Sequence, residues 1–300
     1  MITAAVALLL LAACGGQGTQ SNAHNSPGPN TSSSPASTGS ASPGHKYISF
    51  TSYPGWIQAS IPPGKFNFAP WTIINDFGLW PTPTGGIAVG DMGSLSYIPP
   101  AVAAAHRAGR MIIMAVGEQG VGAKFVGAAS PKYQARFITN ITNYVAKYHF
   151  DGVDIDWEED VPQNAANYVS LIKNLRGALD RGFPRHMFLS ADVNTGQIPP
   201  YIAAQITPYV DTLNLETFQN NGISSVAAYA GAGIPASKML LGIGVANGYY
   251  DINQARVAAK VNYVETHGLA GTLLWQPGNL RTQETDPRLT PLLHMVGSSG

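Results

Sequence analysis

The chain is poor in cysteine and in charge. Cys14 is the one cysteine in 300 residues, so no intramolecular disulfide is available and the fold must rest on its core. Asp, Glu, Lys and Arg make up only 11% of residues, and the 17 basic side chains cancel the 17 acidic ones. A balance this neutral excludes the basic patch that a nucleic-acid partner demands. The seven histidines show no ligand spacing, and no metal or cofactor is expected. What is abundant is apolar: 45% of residues are hydrophobic, enough for a large core.

The apolar run "ITAAVALLLLAACGG" is too short to span a bilayer comfortably. Its end, Leu11-Ala12-Ala13-Cys14, is similar to a bacterial lipoprotein signal, in which the cysteine is lipidated after cleavage. No Lys or Arg precedes the run, so the true start is expected upstream of Met1. Residues 1–13 are therefore expected to be a signal peptide and Cys14 a lipid anchor, with the protein extracytoplasmic, membrane-anchored or secreted. Residues 14–45 are dominated by Ser, Pro, Gly, Asn and Thr. Such a segment cannot bury enough apolar surface to offset its ordering entropy, and reads as a disordered tether.

Residues 46–297 alternate short apolar strands with helical stretches. Strands are expected at 47–53, 71–80, 110–117, 152–157, 187–193, 210–218, 238–245 and 270–275. Helices are expected at 98–109, 131–149, 164–182, 199–207, 222–230 and 253–267. Eight strands, most followed by a helix, predict a parallel sheet closed into a single (β/α)8 TIM barrel. The strand count, and the lack of a Gly-rich turn after the first strand, count against an open doubly wound sheet. Chemistry in such a barrel belongs at the C-terminal strand ends.

One strand is unusual. In "DGVDIDWE" (151–158), Asp154, Asp156 and Glu158 alternate with Val153, Ile155 and Trp157. Alternation puts the acids on one face, and the outer face of a barrel strand wants apolar residues, so the acids point inward. Like charges this close cannot all ionise; a proton shared by Asp154 and Asp156 is expected. Glu158, last and nearest the mouth, should have a raised pKa suited to a general acid. A calcium site would also gather carboxylates, but strand alternation aims these into a crowded barrel rather than around a loop. Asp192 and Asn194 end the fifth strand and could line the same mouth. Glu216 is inward by alternation with Asn214 and Phe218.

"DGVDIDWE" resembles the Asp-x-x-Asp-x-Asp-x-Glu signature of glycoside hydrolase family 18, the chitinases and endo-β-N-acetylglucosaminidases. "SFTSYPGW" (49–56) is similar to that family's first strand, which carries Tyr and Trp, here Tyr53 and Trp56. "MAVGEQG" (114–120) is similar to its Ser-x-Gly-Gly segment, with Ala115 and Glu118 in place of the Ser and the second Gly. "GTLLWQ" (271–276) is similar to its eighth strand, so the resemblance implies that Trp275 floors a sugar site. It also implies retaining hydrolysis of β-1,4 bonds beside N-acetylglucosamine, through attack by the substrate's own 2-acetamido carbonyl to form an oxazolinium. Glu158 would be the acid and base; Asp156 would orient the acetamido group; Asp154 would tune Asp156. The implied partner is a GlcNAc-containing polysaccharide: chitin by default, peptidoglycan or N-glycan as alternatives. A monomer is expected.

The sixth strand departs from the family. There the usual run is Met or Gln, any residue, Tyr, then Asp or Asn, the tyrosine hydroxyl bonding the attacking carbonyl. In "VDTLNLETFQNN" (210–221), Glu216 takes the Met/Gln position, Phe218 the tyrosine's and Gln219 the last. Gln219, Asn220, Tyr249 and Tyr250 are candidates to supply the missing donor. A glycan-binding or weakly active barrel is the alternative reading. Only one helix separates "LLGIGV" from "AGTLLW", so the insertion domain many members carry there is not expected and the cleft should be open.

Overall fold

The computed structural model describes residues 46–92, 94–245, 249–277 and 286–297. All lie in the compact unit Gly39–Gly300. The expected signal, Cys14 anchor and tether fall outside the described residues. No described helix is long and apolar enough to cross a membrane.

Eight parallel strands close on themselves: β1 (Ile48–Pro54), β2 (Ile73–Pro81), β4 (Met111–Gly117), β5 (Gly152–Asp156), β6 (Phe188–Asn194), β7 (Thr212–Glu216), β8 (Met239–Gly244) and β9 (Gly271–Trp275). The β1–β2 and β1–β9 pairings complete the ring. A short antiparallel β3 (Ile87–Val89), not expected from the sequence, extends β2. The chain is a (β/α)8 barrel, as its βα alternation predicts.

Helices α1 (Ile98–Arg107), α3 (Gln134–Tyr148), α4 (Ala165–Gly182), α5 (Pro200–Ile206), α6 (Ile223–Gly231) and α7 (Gln254–His267) sit where the apolar periodicity puts them. Two more, α2 (Gly122–Ala128) and α8 (Thr290–Gly297), escaped it; α2 is a small, glycine-containing helix with little periodic pattern. Between β1 and β2 the chain makes only a 3-10 turn, Gly55–Ile57. Among the described residues between β8 and β9, the helical element is α7 alone.

The strands' outer faces pack on the helices through Val153, Ile155, Leu213, Leu215 and their neighbours, all fully buried. Trp157 continues that face: it stacks on Phe125 of α2 at 5.1 Å and meets Tyr168 of α4 edge-on. Fully burying such an aromatic contributes roughly 1.5–3 kcal/mol. The barrel interior is layered. Its lower layer is apolar, with Phe50, Ile73, Ile113, Phe188, Leu240 and Leu273 in mutual contact. Above it lie buried Asn75, Asp154, Ser190 and Asn214, and above those the acidic mouth. The base of β5 is pinned by Asp151, which accepts from the Ile112 amide (2.8 Å) and Arg185 (2.8 Å) and pairs with His106 (2.9 Å).

One backbone position makes the acid strand possible. At Gly117, φ is +127°, and a Cβ there would stand 1.9 Å from the Asp156 carbonyl oxygen. Only glycine lets β4 lie this close to the end of β5. Gly109 also has positive φ, at +69°, but nothing lies within 4 Å of its would-be Cβ. Gly117→Ala is thus expected to cost at least about 2 kcal/mol in urea denaturation, against about 1 for Gly109→Ala. Equal costs would show that close approach at Gly117 is unimportant.

Candidate functional site

The C-terminal strand ends surround an open cleft of about 280 Å³. Asp156, Glu158, Asp192 and Glu216 line it, with Asn194, Phe218, Gln219 and Trp275. Among the described residues, no lysine, arginine or histidine is part of this lining. The arrangement therefore holds its acids without a cation.

Asp154 lies below the cleft, fully buried. Its Oδ2 accepts from Asn75 Nδ2 at 2.8 Å; its Oδ1 accepts from Ser190 Oγ and from Asn214 Nδ2 at 3.2 Å. Burial raises its pKa, and these donors oppose the rise. Asp154 acts electrostatically on both Asp156 and Asp192 and helps raise both. β6 lies beside β5, with Ser190 opposite Asp154, and brings Asp192 alongside. Asp192 accepts from Asn214 Nδ2 at 2.7 Å. Burial, then the charges of Asp154 and Asp156, pushes Asp192 well up.

Asp156 is left as the free acceptor. It is 3% exposed and its Oδ1 is buried without a partner. Burial raises its pKa well above the usual range, followed by repulsion from Glu158, Glu216 and Asp154. An orphaned buried carboxylate oxygen costs about 1–3 kcal/mol or more unless a ligand donates to it.

Glu158 follows β5 directly and is 6% exposed. Its Oε2 accepts from Asn194 Nδ2 at 2.7 Å. Burial raises its pKa, and the Asn194 bond opposes this. Glu216 ends β7, opposite Asn194. Burial and the neighbouring Glu158 push Glu216 far up. Glu118, half-buried at the rim, is also raised, mainly by burial. Asp156, Asp192 and Glu216 bring carboxylate oxygens within 4.8 Å of one another, a trio that could also hold a hard cation.

The apolar wall is aromatic. Trp275 meets Phe77 at 5.2 Å and Trp56 at 5.9 Å, and lies near-parallel to Phe218 at 6.3 Å. Trp56 is 41% exposed and extends this wall outward. Tyr53 does not reach the cleft. Its position on β1 faces outward, its ring packs on Phe66 and Phe68, and its hydroxyl donates to the Ile61 carbonyl at 2.7 Å. Ser52, the inward neighbour, lines the cleft in its place. No motif points to Asn75, Ser190 or Thr195, whereas Tyr249, one of the four donor candidates, does line the cleft. Alternation along β2 and β6 would have flagged the first two; Thr195 and Tyr249 lie on loops, where no period applies.

Asp192→Asn should relieve repulsion. A carboxyl with a raised folded pKa contributes stability at low pH that is lost as pH rises through that pKa. The substitution removes this loss, so its Tm should exceed wild type at pH 8, with the gap narrowing toward pH 5. A gap that widens toward pH 5 would contradict the assigned shift.

Three comparisons bear on this site. The family glycosyl hydrolases family 18 matches residues 72–255. A chitinase-like effector of Moniliophthora perniciosa is 24% identical over 257 residues, covering 70% of this chain and 58% of its own length. Chitinase A1 of Niallia circulans is 28% identical over 162 residues, 39% of this chain and 23% of that protein. The chain thus spans less than two thirds of these relatives' lengths. The crystal structure of a family 18 chitinase from Cycas revoluta in complex with (GlcNAc)3 superposes with a TM-score of 0.68 at 18% identity, covering 84% of this chain and 99% of that one. That likeness concerns the fold.

Proposed function

This chain belongs to glycosyl hydrolases family 18, and from that premise we propose that it is a retaining glycoside hydrolase cleaving β-1,4 bonds beside N-acetylglucosamine in a chitin-type polymer. The observation that carries this reading is the orphaned Asp156 Oδ1, on a residue that lines the cleft, while Glu158 and Asp192 beside it accept from Asn194 and Asn214. It suits the N–H of an acetamido group. With the N–H held, the acetamido carbonyl can face the anomeric carbon.

Glu158 protonates the glycosidic oxygen as the C1–O bond breaks and the carbonyl oxygen bonds C1. The oxazolinium's positive charge falls beside Asp156, supported by Asp154 below. Water then attacks C1, its proton passes to Glu158, and the carbonyl–C1 bond breaks, so β-configuration is retained. This substrate-assisted route needs one carboxyl acid and no enzyme nucleophile. The Glu158–Glu216 pair keeps a proton available well above the usual carboxyl range, which suits a general acid near neutral pH. Trp275 offers the sugar an apolar face.

The cleft is open, with α7 the one helix among the described residues between β8 and β9, which favours attack within a polymer. Peptidoglycan and N-glycan remain alternative substrates. We also read Cys14 as lipidated, placing the barrel outside the cytoplasm on a membrane, joined to it by the Ser-, Pro- and Gly-rich segment 14–45. A weakly active, glycan-binding barrel is the second reading, favoured by Phe218, which has no hydroxyl.

The test is incubation with GlcNAc oligomers, peptidoglycan and a high-mannose glycopeptide, followed by mass analysis. Shorter GlcNAc oligomers are expected. Glu158→Gln should lower turnover by about 10³-fold or more while binding persists. Equal turnover by variant and wild type would sink the assignment.

A further inference from the structure

An attacking amide carbonyl needs a donor as well as a held N–H. Its oxygen gains positive character only in the oxazolinium; before that, a hydrogen bond fixes its direction toward C1. Several of the cleft's donors are already committed. Asn194 Nδ2 is committed to Glu158, Thr195 Oγ1 to the Glu216 carbonyl, and Trp275 Nε1 to the Tyr249 hydroxyl oxygen at 3.0 Å. Phe218 has nothing to donate.

We propose that Tyr249, from the loop after β8, donates the hydrogen bond that positions the substrate's acetamido carbonyl. This rests on the substrate-assisted reading above. Tyr249 lines the same cleft as Asp156 and Trp275. Its ring stands 5.9 Å from that of Phe218 and edge-on to it, so its hydroxyl serves the wall where Phe218 lies against Trp275. Because that oxygen accepts from Trp275 Nε1, one lone pair is occupied and the O–H is directed away from the indole. Among the described residues, no acceptor takes that proton.

Tyr250 and Asp251, which follow Tyr249, are held to the barrel. The Tyr250 amide donates to the Phe218 carbonyl at 2.7 Å, and the Asp251 amide to the Gly244 carbonyl at 3.0 Å. Asp251 Oδ2 accepts from the Gly244 amide at 2.9 Å and from Lys260 Nζ at 2.7 Å. Lys260, 1% exposed, spends its other bonds on the carbonyls of Thr217 (2.9 Å) and Gly242 (2.7 Å). One buried ammonium thus ties the end of β7, the end of β8 and the Tyr249 loop together. Gly244 lets the loop lie close: a Cβ there would stand 2.9 Å from Phe218 Cβ and 3.0 Å from Tyr249 Cβ. A donor held this way loses little entropy when substrate arrives.

The experiment compares wild type, Tyr249→Phe and the double variant Tyr249→Phe/Phe218→Tyr on GlcNAc oligomers, with Tm measured for each. Tyr249→Phe keeps the ring and should lower kcat about 10²-fold with KM changed less than about threefold. The double variant, with a hydroxyl returned from the neighbouring position, should recover at least about tenfold in kcat. Wild-type kcat in Tyr249→Phe overturns the proposal. So does a loss that the double variant fails to recover, which would mean the hydroxyl matters only for seating Trp275. A wild-type chain without turnover on any GlcNAc polymer overturns the hydrolase reading, and this inference with it.

Discussion

Carboxylates do not gather inside a barrel without something to hold them, and here neutral amide and hydroxyl donors hold three of them. Asp156, Glu158, Asp192 and Glu216 line one mouth with Asp154 buried below it, and the described residues that line it include no lysine, arginine or histidine. Full ionisation of all five would cost many kcal/mol in a water-poor site. Burial raises the pKa of all five, and asparagines and a serine donate to Asp154, Glu158 and Asp192. Asp156 is unpartnered at one oxygen. The strain of burying it is the feature that gives the site its chemistry.

Everything around the cluster serves to keep it in register. The apolar lower layer closes the barrel floor, so the acids face out toward the cleft. Asp151 fixes the base of β5, and Gly117 lets β4 approach its end. Trp157 and Val153 anchor the opposite face of the same strand against α2 and α4. Stability and function pull in opposite directions here: the like-charged cluster is held by a core that would be more stable without it.

Much of this was legible beforehand. The βα period gave the barrel, and strand alternation aimed Asp154, Asp156 and Glu158 inward, because both depend on spacings of two and about 3.6 residues that survive in one dimension. The donors to Asp154 were not legible. Asn75, Ser190 and Asn214 come from β2, β6 and β7, and register between strands is a tertiary property. Tyr53 misled for a related reason: a motif match carries no statement of which face a side chain takes, and one residue's shift along β1 sends Ser52 inward and Tyr53 out. Tyr249 lies on a loop, where neither period speaks; only the bonds from Trp275 and the Lys260 tie reveal where it sits.

The central claim is that the substrate's own acetamido carbonyl is the nucleophile, with Asp156 holding its N–H and Glu158 moving the proton. Proton NMR of the first-formed reducing ends, recorded within the first minutes of GlcNAc-oligomer hydrolysis before mutarotation, reads this directly. Retention requires that the new ends appear as the β-anomer and relax slowly to the equilibrium mixture. New ends appearing first as the α-anomer would mean that water attacks C1 directly, and would contradict the account.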